Sequence, residues 1–359
     1  MTTAKNELRK KLNLILMNGQ LASKWTPRKG TVAKEIREFF SMTPKEYRKS
    51  LVALTSVVET QMCANDWDNI NYSHVPSLAH SRYKKAFGRH GASYAEYVQK
   101  LANGEEGVKI NAAAVYPYDV LKGAIGYARH SMTKTERDAM QAQWDALPNY
   151  VGDANVLPMV DSSGSMTCAA GGYNSKTNMS CLEVAISLGL YFADKNKGKF
   201  ADCFLTFSGK PKLVQLKGDI NKKIDQMNTG EVANTNLNAA FELILKTALD
   251  NNVPQSEMPE TLIIFSDMQF DAGVNCDESA IKMITRRYQE AGYTVPKVVF
   301  WNLNAAYGNT PVSFNKMGVA LVSGFSPALA TSVLSGDLEN FTPANVMLRT
   351  VMVPKYDLE

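Results

Sequence analysis

After Tyr150 the chain alternates short apolar runs with amphipathic stretches, a rhythm that the first 147 residues lack. The runs in VLPMVD, DCFLTF, TLIIFSD and KVVFWNL are bounded by polar or turn residues, which predicts buried strands, and KLVQLK and VALVSG read as two shorter ones. Between them, SCLEVAISLGLYFADK, NLNAAFELILKTALDN and DESAIKMITRRYQEAG carry apolar residues at three- and four-residue steps. Leu237, Phe241, Ile244, Leu245 and Ala248 share one helical face, and Ser180 with Glu183 has the spacing of a capping box. Strands alternating with helices predict a mostly parallel sheet covered on both faces, a doubly wound α/β domain over residues 149–359.

Residues 1–148 show helix signals and few strand signals. AKEIREFFSMTPKEYRKSLVALTSVVETQM keeps helical spacing, with Thr43-Pro44 placed as a helix start. Thr133 and Glu136 form a second capping-box signature, opening a helix that LPNY at 147–150 closes. An all-α domain of six or seven short helices is expected. It shows no internal repeat or low-complexity segment by eye.

Composition narrows the function classes. With 45% apolar and 21% charged residues the chain is ordinary globular material, long enough for two domains. No stretch approaches 18 consecutive apolar residues, and charges interrupt the first 20, so neither a membrane span nor a signal peptide is expected and a cytoplasmic chain is. The five cysteines are widely spaced with no C-x-x-C pair, which predicts free thiols. The four histidines, His74, His80, His90 and His130, all lie in the first half without metal-site spacing. There is no G-x-S-x-G elbow, no Walker A loop, and no histidine in the second half to activate a serine. A non-enzymatic protein is expected.

Charge separates the halves. Residues 1–150 hold 22 Lys and Arg against 14 Asp and Glu, whereas residues 151–359 hold 17 against 21. Basic residues interleaved with tyrosines, among them Lys84, Lys85 and Arg89 near Tyr83 and Tyr94, make a candidate RNA-contacting face; a solvated helix surface has the same signature.

The sharpest chemistry lies where the strands stop. VLPMVDSSGSMTC ends an apolar run on Asp161 and sets Ser163 and Ser165 at alternate positions, and TLIIFSD likewise ends on Asp267. Ligands of doubly wound sheets bind outside the carboxyl ends of strands. Carboxylates with hydroxyls are hard oxygen donors that suit Mg²⁺, Mn²⁺ or Ca²⁺.

DSSGS at 161–165, Thr235 in VANTNLNAAF and Asp267 in IIFSDMQF together resemble a von Willebrand factor A domain with its metal-ion-dependent adhesion site. The resemblance implies that Ser163, Ser165 and Thr235 ligate a divalent ion directly. Asp161 and Asp267 would bind it directly or through water, leaving one position for an acidic group of a protein partner. Asn234 stands where that family often has glycine. TCAAGGYNSKTNMS, MQFDAGVNCDE and NLNAAYGNTP would line the metal rim and set partner choice. In the first half, DWDNINYSHVPSLAHSRYKKAFGRHGASYAEYV is similar to the helical segment preceding an A domain in a family of uncharacterised proteins. More distantly it resembles the TROVE module of the Ro autoantigen, a ring of helical repeats that binds RNA ends and small structured RNAs. This half is shorter than a full ring. Together the resemblances imply a Ro-like ribonucleoprotein component binding structured or single-stranded RNA, or alternatively an adaptor that uses only the metal site.

Overall fold

A computed structural model describes residues 20–125, 132–172, 178–227, 237–268, 278–304 and 319–326, with a few positions beyond. The chain divides into two compact units, residues 1–75 with 83–110, and residues 76–82 with 111–359.

The first unit is all-helical among its described residues. Its helices are α1 (Gln20–Trp25), α2 (Thr31–Phe39), α3 (Pro44–Leu54), α4 (Val58–Cys63), α5 (Ser77–His90), whose first residues group with the second unit, and α6 (Ala92–Ala102). The Thr43 hydroxyl accepts the Glu46 N–H while the Glu46 carboxylate accepts from the Thr43 N–H, so the capping box opens α3. Ala33, Ile36, Tyr47 and Leu51 bury one small core between α2 and α3. A second forms around Tyr72, whose ring lies 5.2 Å from Phe87, 5.0 Å from Tyr94 and 5.4 Å from Tyr97. Gly91 is needed there, because a Cβ would sit 2.7 Å from the Tyr72 hydroxyl.

The second unit begins with α7 (Pro117–Leu121) and α8 (Lys134–Asp145). The expected helical domain therefore divides: residues 111–148 pack with the sheet, not with the first unit. The reason is burial. Val120, Leu121, Met140 and Trp144 join one core with Val160, Phe192 and Phe265. Polar contacts fix the packing: the Trp144 indole N–H donates to Asp194 at 3.2 Å, the Tyr150 N–H donates to the Tyr191 hydroxyl at 2.8 Å, and that hydroxyl donates to the Pro148 carbonyl. Lys223, half-buried, bridges Asp194 at 2.8 Å and Asp202 at 2.6 Å.

The sheet contains β1 (Val156–Val160), β2 (Cys203–Thr206), β3 (Leu213–Gln215), β4 (Thr261–Ser266), β5 (Lys297–Asn302) and β6 (Val319–Ser323). Their order is β3-β2-β1-β4-β5-β6, parallel except for the antiparallel edge strand β3. Helices α9 (Cys181–Lys195), α10 (Ile220–Met227), α11 (Leu237–Asp250) and α12 (Glu278–Glu290) complete it, α10 being a helix that the apolar pattern did not announce. Side chains alternate between two layers. Val160, Ile263, Phe265 and Trp301 join the core with α9, whereas Leu157, Met159, Ile264 and Phe300 join the core with α11 and α12. Burial on both faces is why these strands read as continuous apolar runs. This is the doubly wound α/β architecture that the sequence implied, preceded by helices. No helix of the described residues is long and apolar enough to cross a membrane.

Helix α9 packs tightly on the sheet at Gly189, where a Cβ would meet Val160 Cγ2 at 2.4 Å and Met227 Sδ at 3.2 Å. Val160 is β-branched and cannot step aside cheaply. Alanine gains about 1 kcal/mol of helix propensity at this position, but overpacking costs about 1–3 kcal/mol and works against it. Gly189→Ala is therefore expected to lower the unfolding free energy in urea, and an unchanged or higher midpoint would show that the helix can lift off β1 without loss.

Candidate functional site

The strand order reverses between β1 and β4. The first runs on through β2 toward one edge, the second through β5 toward the other. At such a switch point the connections leave in opposite directions and open a crevice outside the carboxyl ends. Five register pairs join the two strands, from Val156↔Thr261 to Val160↔Phe265. The next residues, Asp161 and then Ser266 and Asp267, emerge side by side at this crevice. Both aspartates are 1% exposed.

Local hydrogen bonds orient the first carboxylate. The Asp161 N–H continues the ladder to the Phe265 carbonyl at 3.0 Å. Its Oδ1 accepts the Ser163 N–H at 2.9 Å, an Asx-type turn that folds the chain back at once. Its Oδ2 accepts the Ser266 hydroxyl at 2.7 Å, and the same Ser266 oxygen accepts the Met268 N–H at 3.0 Å. The turn leaves the Ser163 and Ser165 hydroxyl oxygens 3.0 Å apart, so the alternate positions after Asp161 do converge. Buried Met166 closes the floor, its sulfur accepting the Asp267 N–H at 3.1 Å.

Electrostatics at this point are unfavourable without a counter-charge. Burial pushes the Asp161 carboxyl above its ordinary value; the Ser163 N–H and the Ser266 hydroxyl pull it back, and the Asp267 charge raises it further. Two carboxylates held beside one another in a buried crevice, with two hydroxyls alongside, form an oxygen-only donor set that fits a hard divalent cation. No cluster of three or more His, Cys, Asp or Glu able to hold a metal occurs among the described residues, so hydroxyls must complete any such sphere.

The segment after the motif is held to the same sheet edge. The Gly171 N–H donates to the Leu303 carbonyl at 2.8 Å, and Gly172, at φ 79°, passes so close to the Asn304 carbonyl that a Cβ would lie 2.8 Å from it. Cys168 and Cys181 pair through a 2.9 Å backbone bond, with their free thiols 3.5 Å apart. The described parts of two rim segments, after β1 and after β5, thus lie together. Thr235, Asn234 and most of the two other loop stretches named from the sequence, 269–277 and 305–311, lie outside the described residues. Ser266 and Met166 are the site residues that sequence reasoning passed over; Ser266, immediately before a strand-ending aspartate, was the available signal.

Of the candidate RNA contacts in the first unit, Lys85 and Arg89 are exposed, one helical turn apart on α5. Lys84 is 5% exposed. Its place on the inner side of that helix, beside Phe87, corrects the reading of this ammonium as a surface contact.

Residues 155–349 match the family described as a domain of unknown function, DUF7788, and residues 6–156 match a second such family, DUF2828. An uncharacterized protein of Acanthamoeba polyphaga mimivirus, L728, is 30% identical over 367 aligned positions, which take in 92% of this chain. The chain spans 60% of that relative's length. Among solved structures, the Ro (RSR) protein of Deinococcus radiodurans is similar over 90% of this chain and 63% of its own, at 15% identity and a TM-score of 0.47. The SpRpn10 VWA domain is similar over 53% of this chain and 95% of its own, at 16% identity and a TM-score of 0.29.

Ser266 ties the ends of the two central strands together, so Ser266→Ala leaves a buried acceptor on Asp161 and a buried N–H on Met268. Such a loss costs about 1–3 kcal/mol. Urea unfolding should record it, and a variant as stable as the parent would mean that other groups orient Asp161.

Proposed function

The chain belongs to the DUF7788 family, and from the two aspartates at its switch point we propose a non-enzymatic, divalent-cation-dependent binding protein whose α/β domain recruits an acidic group of a partner. What supports this reading is the turn that gathers Asp161, Ser163 and Ser165 after β1, with the serine hydroxyls 3.0 Å apart, and the 2.7 Å bond from Ser266, the residue before Asp267, to Asp161. Ser163, Ser165 and, by the sequence resemblance, Thr235 would hold a Mg²⁺-class ion (Mn²⁺ or Ca²⁺ being the alternatives), with Asp161 and Asp267 beside it. Such an ion, when bound, supplies positive charge at the sheet edge. Neutral hydroxyl ligands leave much of that charge uncompensated, which favours an external carboxylate.

The helical part of the same reading is an RNA-contacting surface, so that the whole resembles a Ro-like ribonucleoprotein component. What supports it is the basic excess of residues 1–150 and the sequence resemblance of residues 66–98. Exposed Lys85 and Arg89 remain its candidates on α5. A protein adaptor with no RNA is the rival, and the ratio of absorbance at 260 and 280 nm in freshly isolated protein separates the two. The role so read is binding rather than catalysis, and the compartment that goes with it is the cytoplasm.

Binding of an ion to the folded state alone raises stability by about 2.7 kcal/mol at a hundredfold excess over Kd. Mg²⁺ should therefore raise the melting temperature of the wild-type chain, and EDTA should reverse it. Asp161→Ala should abolish this response and Thr235→Ala weaken it. The same Mg²⁺ response in wild type and Asp161→Ala would remove the ion from this crevice.

A further inference from the structure

The first unit contains a cavity of about 280 Å³ whose walls carry Arg28, Lys29, Lys34, Arg37 and Arg48. No Asp or Glu lines it. Two helices and the connection between α1 and α2 build it. Arg28 and Lys29 come from that connection, Lys34 and Arg37 from α2, and Arg48 from α3. The connection is fastened by the buried Tyr47, whose hydroxyl donates to the Pro27 carbonyl at 2.8 Å. Gly30 lies on the wall at φ 89°, a conformation that suits glycine, with nothing within 4 Å of where a Cβ would be. As N-cap of α2 it supplies no side-chain acceptor for the helix's first N–H groups.

Several cations elsewhere on the surface are paired. Lys134, Lys246 and Arg286 each pair with a carboxylate four residues on, and Arg287 pairs with Glu242. At the cavity only Lys34 has such a partner, Glu38 at 3.7 Å; no ion pair reaches Lys29, Arg37 or Arg48 among the described residues. Glu46, the nearest acid in sequence to Arg48, is committed to the Thr43 N–H and hydroxyl at 2.8 and 2.7 Å. Residues 1–50 hold 12 Lys and Arg against 4 Asp and Glu, so the charge excess of the whole first half arises here. Cations gathered around a concavity repel one another, and an anion relieves that repulsion. The volume falls just below that of typical small-molecule sites, about 300–1,000 Å³, which suits a phosphate with its ester links rather than a whole cofactor.

One neighbouring residue distinguishes the source of the phosphate. Trp25 ends α1 three positions before Arg28, and its side chain is 80% exposed. Trp25 is not part of the lining, and Lys24 Nζ lies 5.9 Å from its ring centroid, but an exposed indole three residues from a lining arginine offers a stacking surface for a base, which inorganic phosphate cannot use. We propose that this cavity binds a backbone phosphate of single-stranded RNA, with Trp25 stacking on an adjoining base. The proposal rests on the RNA part of the function above, adds a site on α2 and α3 that the α5 candidates do not include, and is independent of the metal crevice.

The test uses the full chain and a fluorescein-labelled oligouridylate of 12 nucleotides, followed by anisotropy across a salt series. Arg37→Gln combined with Arg48→Gln should weaken binding about tenfold or more and flatten the slope of log K against log salt by about 0.7, the contribution of one phosphate contact on a single strand. Trp25→Ala should weaken it about fivefold or more without changing that slope. Far-UV circular dichroism and melting check the variants, and Arg48→Gln alone, at an exposed position, replaces the pair if the half-buried Arg37 disturbs folding. Wild-type binding that persists undiminished in the double variant would overturn the cavity and leave the RNA reading standing on Lys85 and Arg89. Failure of the wild type to bind would overturn both. Polyglutamate that displaces the RNA, and itself binds wild type but not the double variant, would reassign the cavity to acidic peptides.

Discussion

Parallel pairing of β1 with β4 is the constraint on which the α/β unit depends. It brings together segments 105 residues apart, so that Asp161 and Ser266 leave adjacent strand ends within hydrogen-bond reach. Shifting the register by one residue would turn Ile263 and Phe265 from the α9 side to the α11 side and take Ser266 away from Asp161. Core and crevice are thus specified by the same pairing. The apolar layers fix the register, and the register fixes where the carboxylates emerge.

That arrangement stores an electrostatic cost at a defined place. Two aspartates almost without solvent exposure leave neighbouring strand ends, and the Asp267 charge works against ionisation of Asp161. The cost is tolerated because the surroundings are rigid: the α9 core, Met166 beneath, and Gly171 and Gly172 threaded against the end of β5. A crevice so built holds its oxygen donors in place without rearranging the sheet. In the first unit the imbalance has the opposite sign, with cations collected around a concavity while Glu46 is spent on a cap and Glu38 on an i,i+4 pair with Lys34.

The boundary between the parts illustrates how composition and packing can disagree. Residues 111–148 are helical and precede the first strand, so by pattern they belong with the helices before them; the family matches also meet at residues 155 and 156. In the fold these residues cover one face of the sheet, through Leu121, Met140 and Trp144, and Trp144 reaches Asp194. An amphipathic helix shows which of its faces is apolar but not which surface will cover it.

The sequence by itself determined the elements and their class. The strands needed continuous apolar runs because both faces are buried, the helices at Thr133 and Ser180 announced themselves by capping boxes that form as expected, and Thr43-Pro44 marked a third helix start, which the structure closes with a capping box as well. It also determined that Asp161, Ser163 and Ser165 converge, since a short turn is a local matter, and the structure closes that turn through one backbone bond. Tertiary structure decided what no local pattern encodes. It set the strand order that makes Asp161 and Asp267 neighbours, gave Ser266 and Met166 their roles, and turned Lys84 inward although Lys85 beside it faces out. It gathered Arg28, Arg37 and Arg48 from a connection and two helices around one cavity. The physical reason is common to all of these: local spacing fixes the direction of a side chain relative to its own element, whereas its neighbours are fixed by long-range burial, which depends on every element at once.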